Sequence, residues 1–152
     1  MASNVAVLEN DRKQYIVVKI GSEQYGIDIS YVDNIVRMQK ITRVPKAQNY
    51  FPGIINLRGE VVPVMSIRTK MGLEPDQFTD ASRIIILKVE QQGSLGIIID
   101  EVKEVVTLGE EEIDKVASAK DEKSNFINGI GKHGEELISL FDINAIIDEE
   151  NS

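Results

Sequence analysis

The sequence predicts an all-β protein made of two small barrels, each with about five short strands. Two observations lead to this fold class: β-branched stretches alternate with glycine-containing turns, and the pattern occurs twice along the 152 residues. A unit of about 70 residues buries little apolar surface by itself. We therefore expect the two halves to pack against each other and to form a groove at their junction.

The beginning of each half predicts a β-hairpin. Residues 15–20 are mostly β-branched and apolar, and a turn at 21–24 separates them from a similar stretch at 25–29. Residues 84–89 and 95–99 repeat this arrangement later in the chain. Alternating strands and short polar turns of this kind are typical of antiparallel pairs.

The end of each half repeats as well. Residues 53–55 match 129–130, and the apolar stretch 61–67 matches 137–143, which follows 76 residues later. The connections differ, because the second half contains a long polar stretch at 109–128. We expect that stretch to be the most mobile loop.

Four side chains are suited to cap short helices. Ser30 and Asp100 follow the two hairpins, and Ser66 and Asp142 follow the later strands. Ser and Asp side chains accept hydrogen bonds from N–H groups in a first helical turn, so a helix is predicted directly after each of them. Gly72 is expected to end the helix after Ser66.

The expected domain organisation follows from the repeat. We predict one domain, residues 12–150, after a flexible segment at 1–11. Its subdomains would cover about 25–83 and 84–147, with strand 15–20 near their junction.

The composition excludes several classes of site. The chain has no cysteine and a single histidine, His133, which excludes disulfides, thiolate nucleophiles and a multi-histidine metal site. No apolar run approaches the roughly 18 residues of a membrane span, and the acidic N-terminus does not resemble a secretory signal. We therefore expect a cytosolic protein without a metal.

The charge is unevenly distributed. The net charge of −8 argues against non-specific nucleic-acid binding, which depends on lysine and arginine. Residues 37–70 nevertheless carry seven basic side chains and only one acidic one, Glu60. This segment could dock an acidic partner, or it could simply be a solvated basic face.

The spacing Gly129-x-Gly-x-x-Gly134 matches a dinucleotide-binding loop, but the context does not. Such a loop needs a helix N-terminus next, whereas residues 135–140 are strand-like and begin with two glutamates. We interpret the segment as a hairpin turn, with His133 a solvated loop residue.

Carboxylate pairs leave an enzymatic alternative open. Asp28, Asp33, Asp100 and Glu101 could serve a small hydrolase if one of them had a raised pKa. Three of the four lie near predicted helix starts, where capping explains them more simply.

The sharpest site candidate is the segment 56–60, Asn-Leu-Arg-Gly-Glu. It lies between two predicted strands, and Gly59 can adopt the positive φ that a tight hairpin turn requires. Arg58 would then project from the rim of the first barrel as a permanently charged fork. A solvated hairpin tip is the alternative.

Several segments together resemble the CheW family of bacterial chemotaxis coupling proteins. The match runs from about residue 15 to 148, and its segments occur in the family's order: Tyr25–Ile29, Ile41–Pro45, Gly53–Gly59, Val61–Val64, Gly96–Asp100 and Leu137–Ile147.

The resemblance implies two intertwined SH3-like five-stranded barrels and a non-catalytic adaptor without cofactors. Members link the cytoplasmic tip of chemoreceptors to the regulatory domain of the histidine kinase CheA, in the cytoplasm beside the membrane. By this resemblance the protein is monomeric alone and assembles with the kinase into rings or arrays. A detached kinase regulatory domain and an adaptor of a non-motility pathway are the alternatives.

The resemblance also suggests where partners bind. The receptor would lie in the groove between the barrels and on its rim, and the kinase would dock on barrel ends whose residues the sequence does not identify. The expected receptor-binding residues are Arg58, Ile29, Val32, Gly53, Leu57 and Val102.

Overall fold

The computed structural model describes residues 12–89, 93–115 and 126–147. These residues form eleven strands, two short α-helices and two 3₁₀ helices, which confirms the all-β class. The predicted flexible segment at 1–11 lies outside the described residues, as does the predicted end of the domain at 148–150.

The elements follow one another as two hairpin-rich halves. The strands are β1 (Lys13–Ile20), β2 (Glu23–Asp28), β3 (Val32–Arg37), β4 (Gly53–Leu57), β5 (Glu60–Ser66), β6 (Arg83–Val89), β7 (Gly93–Ile99), β8 (Glu101–Leu108), β9 (Ile113–Lys115), β10 (Ile127–His133) and β11 (Glu136–Phe141). The helices are the first 3₁₀ helix (Ile29–Tyr31), α1 (Ile67–Lys70), the second 3₁₀ helix (Glu110–Glu112) and α2 (Ile143–Ile147).

The strands form two sheets that exchange their first hairpins. The first sheet has the order β8-β1-β2-β11-β10-β9, and the second has the order β3-β6-β7-β5-β4. Two parallel contacts between distant segments cause the exchange: β11 pairs with β2 at Ser139 and Tyr25, and β5 pairs with β7 at Val64 and Gly96. The sheets are therefore intertwined, as predicted.

The exchange changes the subdomain boundaries. The predicted division at residues 83 and 84 does not follow the sheets, because the hairpin β6–β7 belongs with β3, β4 and β5. The first sheet also has six strands and not five, since β9 pairs with β10. Strand β1 lies inside the first sheet, between β8 and β2.

Three apolar clusters explain why the inner strands are apolar on both faces. Successive side chains of a strand point to opposite faces. In β1, Tyr15 and Val17 pack in the cluster of the first sheet, whereas Ile16 and Val18 pack in a cluster shared by both sheets. Strand β6 divides its side chains in the same way between the shared cluster and that of the second sheet. The shared cluster joins the two sheets.

Two of the four predicted helices are wrong. Ser30 lies within the first 3₁₀ helix, which is followed by β3, and Asp100 is followed directly by β8. Both segments are extended because β3 pairs with β6 and β8 pairs with β1. Asp28 caps the 3₁₀ helix, and its Oδ1 accepts a hydrogen bond from the N–H of Ser30 at 2.9 Å. Long-range pairing has overridden the local capping signal.

The other two caps are confirmed. The hydroxyl of Ser66 accepts from the N–H of Thr69 at 3.2 Å, and Asp142 accepts from the N–H of Ala145 at 3.2 Å. Gly72 follows the end of α1 with a φ of +73°, the left-handed conformation expected of a glycine that ends a helix.

The polar stretch 109–128 is not wholly a loop. Its beginning contains the second 3₁₀ helix and β9, and residues 116–125 lie outside the described part of the chain. The hairpin interpretation of the glycine-rich motif is confirmed, because β10 and β11 pair around a turn at Gly134, whose φ is +64°. His133 is the last residue of β10.

Candidate functional site

Arg58 lies at the tip of the β4–β5 hairpin. Leu57 pairs with Glu60, so Arg58 and Gly59 form a two-residue turn, with φ values of +53° and +85°. Two consecutive positive φ values define a type I′ turn, which matches the twist of the flanking strands. The side chain of Asn56 accepts from the N–H of Gly59 at 3.1 Å and fixes the turn. Arg58 is exposed, as predicted.

Gly53 lies in the strand that leads to the Arg58 turn. It is the first residue of β4, beside Thr42, whose N–H and C=O both bond to Ile54 at 2.8 Å. A Cβ atom at Gly53 would lie 2.1 Å from the carbonyl oxygen of Thr42. The glycine therefore allows two backbone segments to approach each other at the start of β4, the end of the hairpin opposite the Arg58 turn.

The expected receptor-binding residues form two groups. Val32 and Val102 are half-buried and pack against the shared cluster from β3 and β8, two edge strands, and Ile29 is 37% exposed beside Val32. Leu57 packs against the cluster of the second sheet, next to Arg58 and on the same strand as Gly53. The six assignments remain predictions.

The basic segment 37–70 is not one continuous face. Five of its seven basic side chains are exposed: Arg37, Lys40, Arg43, Lys46 and Arg58. Lys70 is buried at 6% exposure, with its Nζ 4.0 Å from the ring centroid of Tyr50. Arg68 is engaged in an ion pair with Asp100.

The Arg68–Asp100 pair ties the two sheets together. Arg68 donates to both carboxylate oxygens of Asp100, from Nη2 at 2.5 Å and from Nε at 3.2 Å. The same carboxylate accepts from the N–H of Gly21, in the β1–β2 turn of the first sheet, at 2.8 Å. Partial burial raises the pKa of Asp100, but these hydrogen bonds outweigh it and hold the pKa below its usual value.

Replacing Asp100 with asparagine should show how much the Arg68–Asp100 ion pair contributes to the pH dependence of the free energy of unfolding. Because the folded pKa lies below the unfolded one, the carboxylate stabilises the fold fully above the unfolded pKa and loses that effect as pH falls through the folded pKa. We expect Asp100→Asn to lower the free energy of unfolding by about 1 kcal/mol near neutral pH. Urea titrations should show that difference shrinking in acid, and a difference independent of pH would contradict the assignment.

No sequence pattern pointed to Asp76 as a residue of the site. Its carboxylate accepts a 2.5 Å hydrogen bond from the hydroxyl of Ser66, the residue that caps α1. Burial raises the pKa of Asp76 although that hydrogen bond and the nearby Arg68 act against the rise. Asp76 therefore has a structural role, because its hydrogen-bond partner Ser66 is the residue that caps α1.

The pKa of Asp100 argues against a role for this carboxyl group as a general acid. Asp100, one of the candidate carboxylates, has a lowered pKa, whereas a general acid needs a raised one. Among the described residues, no group of three or more metal-binding side chains is positioned around a common point.

No helix in the described ranges is long and apolar enough to cross a membrane.

A cavity of about 630 Å³ lies between the first 3₁₀ helix, the end of β6 and α2. Its polar lining comes from Ser30, Lys88 and Asn144, and its apolar lining includes Tyr31 and Ile147. It is adjacent in sequence to Ile29 and Val32, but none of the six predicted residues lines it.

Two intertwined sheets, an exposed arginine on a rigid hairpin turn and a cavity where the sheets meet are features of a protein-binding domain. A profile of the CheW-like domain matches residues 14–151. The chain belongs to the CheW family, a family of non-catalytic scaffold proteins of chemotaxis.

Individual relatives cover almost the whole chain. It is 35% identical to "Chemotaxis protein CheW" of Bacillus subtilis, over 92% of this chain and 90% of that protein. It is 32% identical to the protein of the same name from Helicobacter pylori, over 90% and 82%. The crystal structure of the scaffolding protein TtCheW from Thermoanaerobacter tengcongensis is similar with a TM-score of 0.83 and 30% identity, covering 92% of this chain and 95% of that one.

Proposed function

We propose that this protein couples transmembrane chemoreceptors to the histidine kinase CheA, as an adaptor in chemotaxis signalling. The observation that carries the proposal is the match to the CheW-like domain over residues 14–151. The protein would act in the cytoplasm, held beside the membrane through its receptor complexes. It would be a monomer alone and would join rings or arrays with the kinase.

The receptor tip is a helical hairpin, and we assign its contacts to the two groups of predicted residues. Ile29, Val32 and Val102 offer apolar side chains at the edge of the shared cluster, and Arg58 offers a charge on a rigid turn. Helix recognition commonly combines apolar anchors, which supply affinity, with charges that fix the register. The kinase regulatory domain would dock on the ends of the two sheets.

The test is a three-component titration followed by NMR. Isotope-labelled protein is mixed first with a receptor hairpin fragment and then with the CheA regulatory domain. We expect the receptor fragment to shift signals at Val32, Arg58 and Val102, and the kinase domain to shift a separate set at the sheet ends. One footprint common to both partners, or no shift with either, would contradict the adaptor role.

A further inference from the structure

Arg58 has a backbone conformation that is unfavourable for an arginine. Among the described residues, only Arg58 and Lys46 combine a side chain with a positive φ, at +53° and +66°. The first position of a type I′ turn favours asparagine or glycine, because a Cβ atom crowds the backbone in the left-handed region. Unfavourable backbone conformations are concentrated at binding sites, where the surrounding structure holds them. Arg58 therefore depends on neighbouring groups that keep the turn in this form.

Asn56 provides a contact that restrains the turn. Its Oδ1 accepts a hydrogen bond from the N–H of Gly59 at 3.1 Å, so this bond spans Arg58. Backbone pairing closes the hairpin up to Leu57 and Glu60 and leaves both turn residues outside the ladder. The side chain of Asn56 thus restrains the two residues whose φ values set the direction of the arginine.

Asn56 has no part in the packed core of the hairpin. Its neighbours on β4, Ile55 and Leu57, pack in the cluster of the second sheet, whereas Asn56 is exposed. Its cross-strand partner Val61 is also exposed, at 61%. A change of the Asn56 side chain should therefore act on the turn and leave the core of the second sheet intact.

We propose that Asn56 is a positioning residue for receptor binding, which acts through Arg58 and does not itself contact the receptor. By holding the turn in the type I′ form in the free protein, Asn56 removes the ordering of Arg58 from the cost of binding. This role rests on the proposed function, because it requires a contact between Arg58 and the receptor. Affinity then scales with the fraction of free protein whose turn is already in the binding form.

Asn56→Ala removes the hydrogen bond and is the first test. Because one such bond changes a conformational equilibrium about five-fold, we expect the affinity for a receptor hairpin fragment to fall about two- to five-fold in titration calorimetry. In NMR spectra of the free protein, the amide proton of Gly59 should exchange with solvent faster, since its acceptor is lost.

Two further variants serve as rescue and control. Asn56→Asp retains an acceptor oxygen at the same position of the side chain, so it should preserve both the exchange rate of Gly59 and the affinity. Asn128→Ala makes the same change as Asn56→Ala at an exposed position on β10, in the other sheet, and should alter neither quantity.

A double-mutant cycle with Arg58→Ala tests whether Asn56 acts through Arg58. In the Arg58→Ala background, Asn56→Ala should leave the affinity unchanged, because no arginine remains to be positioned. The same loss in both backgrounds would indicate a direct contact of Asn56 with the receptor and would overturn the positioning role. That role is also overturned if Asn56→Ala leaves the affinity, or the exchange rate of Gly59, equal to that of the unaltered protein.

The same titrations separate the positioning role from the proposed function. If the receptor fragment does not bind the unaltered protein, or binds Arg58→Ala equally well, the receptor contact of Arg58 is refuted and the role of Asn56 is refuted with it. If only Asn56→Ala fails to lower the affinity, the receptor contact stands and the positioning role alone is refuted. Unchanged spectra outside the turn establish that the variants are folded.

Discussion

Replacing Gly53 with alanine should lower the free energy of unfolding by about 3 kcal/mol. The added Cβ would lie 2.1 Å from the carbonyl oxygen of Thr42 and 2.9 Å from Cγ2 of Ile41, far inside van der Waals contact. The first of these atoms is backbone and cannot rotate away, so the Thr42–Ile54 hydrogen bonds must stretch or break. Thermal unfolding should show a melting temperature lower by about 10 °C.

Gly134→Ala is the matched control for this change. Gly53 and Gly134 both have positive φ values, +156° and +64°, but a Cβ at Gly134 would have no atom within 4 Å apart from those of its chain neighbours. That variant should lose only about 1 kcal/mol, the cost of the left-handed conformation for a residue with a side chain. Equal losses in the two variants would show that the contact with Thr42 is not the cause.

Arg58→Ala should weaken binding of a receptor hairpin fragment about 30-fold, or about 2 kcal/mol, if the guanidinium is an interface anchor. The turn holds the arginine at the hairpin tip with a φ of +53°, so its direction is fixed before the partner arrives. Alanine adopts the same backbone conformation at similar cost, and the stability of the free protein should therefore be unchanged. Titration calorimetry measures the affinity.

Arg43→Ala provides the comparison, because Arg43 is exposed in the same basic segment but lies outside the hairpin. A loss confined to Arg58→Ala would support a specific contact. Similar small losses in both variants would instead indicate a general attraction between a basic segment and an acidic partner, and unchanged binding in both would refute the role of Arg58.

Local chemistry predicted much of the fold. The hairpins, the caps at Ser66 and Asp142 and the Arg58–Gly59 turn each depend on a few neighbouring residues, and the structure contains them. The caps predicted at Ser30 and Asp100 failed because β3 and β8 pair with strands remote in sequence.

Parts of the site were beyond sequence reasoning for the same reason. The requirement for glycine at position 53 comes from Thr42, which approaches it through the fold. The role of Asp100 depends on Arg68, 32 residues away.

The exchange of hairpins between the sheets has a consequence for the protein as a whole. Strand β1 pairs with β8 and strand β2 pairs with β11, both late in the chain, whereas β6 and β7 belong to the sheet that contains β3, β4 and β5. Neither sheet is formed by one contiguous stretch of chain, so neither could fold, be transplanted or be deleted independently of the other. Calorimetry should therefore record a single melting transition. A force applied to one sheet would be transmitted directly to the other through the shared strands' connections.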